Sequence, residues 1–127
     1  MEFSEFVRTV ADHTQLSREE AADLSRAVLE ALGQRISAGE LRQLGVELPD
    51  ELRGTPRKPT KNGHGQKFGL VELIQRVSKH TGLNSTEAFN GIVAVLSTLS
   101  DAVSPKQFDD VLAQLPGDVT ALVRSPS

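Results

Sequence analysis

The chain has no cysteine, no tryptophan and no tyrosine, and only five phenylalanines and one methionine. Without cysteine there is no disulfide, no thiol nucleophile and no thiolate-bound zinc. That composition suits a reducing compartment, so a cytoplasmic location is the expectation. With so few aromatic residues, any core has to be assembled from Leu, Val, Ile and Ala. No apolar run approaches the ~20 residues needed to span a bilayer; the longest, 92–96, is far shorter. The opening Met-Glu-Phe-Ser-Glu is acidic where a secretory signal would be basic. No stretch alternates apolar and polar with period two, which argues against strands.

What is present is a duplication. Residues 6–52 lie over residues 73–119 at a constant offset of 67 without a gap, and 13 of the 47 aligned positions are identical. His13-Thr14-x-Leu16 falls on His80-Thr81-x-Leu83, and Leu48-Pro49 on Leu115-Pro116. Each repeat alone is of a size that buries only ~60% of its unfolded surface. The expected architecture is therefore an all-α bundle of two pseudo-symmetric repeats, three to four helices each, sharing one interface. The divisions are repeat 1 at 1–53, a basic flexible linker at 54–67 and repeat 2 at 68–127.

Apolar spacing and cap chemistry place the helices. Phe3, Phe6, Val7 and Val10 form one stripe, repeated by Leu70, Leu73, Ile74 and Val77. This first helix should end near Thr14-Gln15 and Thr81-Gly82, with Gly82 free to take the left-handed cap. Ser17 with Glu20, and Asn84 with Glu87, have the spacing of reciprocal N-capping. Ser37 with Glu40, and Ser104 with Gln107, repeat the device at a third helix, where Pro105 suits the first helical position. Ile36 with Leu41, and Val103 with Phe108, have the spacing of hydrophobic staples. Ala21, Leu24, Val28 and Leu32 give the second helix its buried stripe, as do Ala88, Ile92, Val95 and Leu99. Leu41, Leu44 and Leu48, against Phe108, Val111 and Leu115, serve the third. Pro49 and Pro116 then open a short last turn carrying Leu52 and Val119.

The order Phe6, Val10, Glu19-Glu20-Ala21, Ala27-Val28-Leu29, Leu32, Leu48-Pro49 and Leu52-Arg53 resembles a known bacterial family, domain of unknown function 2267. In the second copy Ala94-Val95-Leu96, Val103-Ser104-Pro105 and Asp110 to Pro116 carry the likeness. The resemblance implies a helical two-repeat bundle and brings no catalytic residue with it. In the linker this chain departs from the family pattern, which often includes an aromatic residue and mixed charge.

Candidate chemistry is sparse. His13 and His80 share one slot and could act as metal ligands with His64 or Asp12. A histidine in a last helical turn is also simply favoured by the helix dipole. The acid pairs Glu19-Glu20, Asp50-Glu51 and Asp109-Asp110 fall in first turns or on polar faces, where carboxylates serve as solvated caps. Serines 17, 37 and 104 read as caps, and no Gly-x-Ser-x-Gly elbow or Gly-x-Gly-x-x-Gly loop occurs. The expectation is no catalytic residue, no metal and no cofactor, hence not an enzyme.

Charge is uneven. Residues 1–53 carry 11 acidic and 6 basic groups, 54–67 carry 4 basic and none acidic, and 68–127 carry 6 acidic and 4 basic. The candidate phosphate or partner contacts are Arg53, Arg57, Lys58, Lys61 and Lys67. No aromatic residue lies among them for base stacking. The third helices, which have a helix-turn-helix look, carry Glu40, Glu47, Asp109 and Asp110, ill suited to a major groove. The favoured function is a non-catalytic protein–protein interaction module, binding a protein partner or itself, with no membrane role. Nucleic-acid association through the linker is the alternative, and a carrier of an apolar ligand the third reading.

Overall fold

The structure is a computed structural model that describes residues 1–52 and 68–123. Every regular element among them is helical: α1 (Phe3–Thr14), α2 (Arg18–Arg35), α3 (Ala38–Glu47), a 3₁₀ turn (Asp50–Leu52), α4 (Leu70–Thr81), α5 (Ser85–Ala102), α6 (Pro105–Leu112) and α7 (Gly117–Thr120). Shifted by 67, α1, α2 and the start of α3 fall on α4, α5 and the start of α6. The linker and its basic residues Arg53, Arg57, Lys58, Lys61 and Lys67 lie outside the described residues, as does His64. No described helix is long and apolar enough to cross a membrane.

The helix starts follow their caps. Ser17 Oγ accepts from the Glu20 N–H at 3.1 Å while Glu20 Oε1 accepts from the Ser17 N–H at 3.1 Å. Asn84 and Glu87 do the same at 2.8 and 3.0 Å. Both first helices end on a left-handed residue, Gly82 at φ 81° and Gln15 at φ 64°.

At α3 and α6 only half of the expected box forms. Ser37 Oγ and Ser104 Oγ each accept the N–H three residues on, at 3.3 Å. The N–H of Ser37 instead reaches Gln114 Oε1 at 2.6 Å, and that of Ser104 reaches Glu47 Oε1 at 3.0 Å. A residue from the opposite half thus completes each cap. The sixth helix is also shorter than its spacing implies. It stops at Leu112, where the Gln114 and Leu115 N–H groups turn back to the carbonyls of Val111 and Leu112 at 3.0 and 3.1 Å. Leu115 stays buried, but from a turn.

One apolar cluster joins both halves. The long helices α2 and α5 run through the middle; α1 packs on both, and so does α4. The fourth helix leans more on α2 than on α5, the long helix of its own half. Phe6, Leu24, Leu32, Ile36, Leu73, Ile92, Leu96 and Leu99 are the largest fully buried side chains. Burying such a side chain contributes about 1.5–3 kcal/mol, and the part of that term made by α1 on α5 and α4 on α2 is lost if the halves part. Buried Ser25 and Thr98 turn their hydroxyls to the carbonyls of Ala21 and Ala94, at 2.7 and 2.8 Å. Among the described residues no buried side-chain polar atom lacks a partner.

Candidate functional site

Because α4 lies against α2, their outer faces leave an open groove of about 690 Å³ between them. From α2 come Ala27, Glu30, Ala31 and Gln34, one helical face by the spacing of three and four. From α4 come Arg76, Lys79 and His80. The two alanines are almost wholly buried and make a shallow floor, while Glu30, Lys79 and His80 are exposed on the rim.

Arg76 is the fixed member of the rim. It donates to Gln34 Oε1 at 2.6 Å and to Glu72 Oε2 at 2.5 Å. Its guanidinium stands 4.0 Å from the centre of the Phe68 ring, a stacking that adds to its order. Phe68 is held in turn, its carbonyl accepting from Arg35 Nε at 3.2 Å. Two residues later Asp118 Oδ2 accepts the Leu70 N–H at 3.0 Å. The segment that leads into α4 is therefore held by Arg35, Asp118 and Arg76, the last of which also edges the groove.

The sign of the groove is particular to one half. At the aligned positions in the other half, Arg76 becomes Thr9, Lys79 becomes Asp12 and Gln34 becomes Asp101, while His80 remains His13. A second depression of about 400 Å³, beside the start of α1, is lined by Met1, Glu2, Phe3, Ser4, Pro49 and Glu51, so both of its charged side chains are acidic. Lys79 and Glu30, exposed on opposite helices over a floor of alanine, can seat a surface that offers charges of both signs.

Other sequence candidates fall elsewhere. His80 stands on the groove and His13 is exposed at the end of α1; no three His, Asp or Glu side chains gather as a metal site among the described residues. Glu20 is occupied as a cap, and Asp110 pairs with Lys106 at 3.1 Å. Glu40 and Glu47, set against insertion into a nucleic-acid groove, face the opposite half. The groove residues Gln34, Arg76 and Lys79 form no motif, and only the change of charge at aligned positions, a reversal at Lys79 and Asp12, signals them.

The model of a family described as "Uncharacterized conserved protein (DUF2267)" matches residues 3–122. The chain belongs to that family. No curated protein matches it.

Proposed function

We propose that this chain, a member of a family whose description assigns no reaction, is a non-catalytic interaction module, and that the α2–α4 groove receives its partner. The observation that carries this reading is a groove that both halves line, with a rim on which Arg76 is held in place and Lys79 and Glu30 stand exposed over an alanine floor. Small floor residues let another helix approach closely, and a rim of fixed charge sets which helix is accepted. The groove draws on both halves, so the reading requires the assembled bundle. Cytoplasmic location and a protein partner, either another protein or a second copy, belong to the same proposal.

The test pairs capture with charge reversal. The intact chain is immobilised in native cell extract, and its mass is followed by light scattering. Lys79→Glu should release the captured protein or abolish self-association. Reversal of Lys58, Lys61 and Lys67 should leave both intact. The opposite pattern, together with a gel shift on duplex or single-stranded DNA, would transfer the function to nucleic-acid binding by the linker. A strict monomer that retains nothing would overturn the reading.

A further inference from the structure

The middle of the bundle is where α2 meets α5, and there Leu24 faces Gly91. These positions are 67 apart, so they are one slot of the aligned repeats facing itself. A Cβ placed on Gly91 would lie 2.6 Å from both Leu24 Cδ1 and Cδ2. The leucine of one half fills the space that a side chain in the other half would need. One residue along, the sizes are exchanged: Ser25 is the small member and Ile92 the large one, both fully buried.

A second slot also meets itself. Glu40 Oε1 accepts a hydrogen bond from Gln107 Nε2, again 67 positions away. On either side the exchange is reciprocal. Glu47 accepts from the Ser104 N–H and hydroxyl at 3.0 and 3.2 Å, and Gln114 accepts from the Ser37 N–H at 2.6 Å. Residues 47 and 114 are aligned, as are 37 and 104. Contacts in which i meets j′ and j meets i′ are the mark of a two-fold interface. Here the slots that meet themselves hold unlike residues.

We propose that the seam between the halves is a heterotypic recognition surface, on which the first half accepts the second half and rejects a copy of itself. In a pairing of two first halves, Leu24 would overlap Leu24 and Glu40 would face Glu40. Two second halves would set Gly91 against Gly91 and leave a void. Large against small and carboxylate against amide are both satisfied only by the unlike pair. The occupant of the surface is thus the chain's own other half, and this holds whichever molecule the groove takes.

Residue exchange in the full chain tests it. Gln107→Glu should lower the urea midpoint, and adding Glu40→Gln should restore it, since the exchanged pair is again one acid and one amide. Leu24→Ala and Gly91→Ala form a second cycle, from which alanine's gain in helix propensity cancels. The double variant should be more stable than the sum of the singles by about tenfold in the unfolding constant. Gly91→Leu should be the most damaging single change and should leave little folded protein. If it folds poorly, the alanine cycle still decides the matter. Additive singles in both cycles, or a Gly91→Leu chain as stable as the parent, would overturn the proposal.

Discussion

At position 15 a glutamine ends α1 with φ 64°, where the second half uses Gly82 at φ 81°. A side chain in this region crowds its own backbone, a cost of roughly 1–2 kcal/mol that glycine escapes. Gln15 earns some of this back through Nε2, which donates to the Asp12 carbonyl at 3.2 Å. The two caps therefore respond oppositely to substitution. Gln15→Gly should stabilise the chain by about 0.5 kcal/mol, and Gly82→Ala should destabilise it by about 1 kcal/mol. Urea denaturation of the two variants beside the parent measures both, and the same sign for both would contradict the account. Space around Gly82 is not the issue, because a Cβ there would meet nothing within 4 Å.

At the scale of the element, helix starts are decided within three or four residues of chain. Asn84→Ala removes an acceptor for the Glu87 N–H and releases the reciprocal bond. It should cost about 1 kcal/mol, read from far-UV circular dichroism during denaturation; no shift of the midpoint would mean that α5 is positioned by packing alone. The same locality explains what could be read from sequence. Ser17, Ser37, Asn84 and Ser104 announce α2, α3, α5 and α6 because each cap and its N–H partner are neighbours in the chain. The stripe of Leu24, Val28 and Leu32 is legible for the same reason. Contacts between elements are not. Spacing offers Glu40 and Gln107 only their own caps, whereas the fold offers them each other. Residue 113 looks helical from its neighbours, yet α6 has already ended at Leu112, with Gln114 turned toward Ser37. The groove was illegible too, since Ala27, Gln34, Arg76 and Lys79 become neighbours only when α4 crosses to α2. The basic residues that charge counting singled out, Arg53 to Lys67, lie outside the described part of the chain.

Taken whole, the described residues share an apolar cluster to which both halves contribute. A shared core makes unfolding all-or-none, because neither half keeps enough buried surface once the other leaves. The expectation is a single thermal transition, with calorimetric and van't Hoff enthalpies in agreement. Tryptophan fluorescence offers no probe for it, so circular dichroism at 222 nm and the methyl resonances of Leu24, Ile92 and Leu96 serve instead. Two resolved transitions would show that the halves are separate bodies. The crossing of α4 onto α2 also sets a timetable for biosynthesis. A nascent chain that has delivered α1 to α3 still lacks α4, which packs on α2, and α5, which packs on Leu24. Those surfaces remain uncovered until the ribosome has translated and extruded α5. Throughout that interval the emerging polypeptide has the 11 acidic side chains of residues 1–53 to help keep it apart from its neighbours on the polysome.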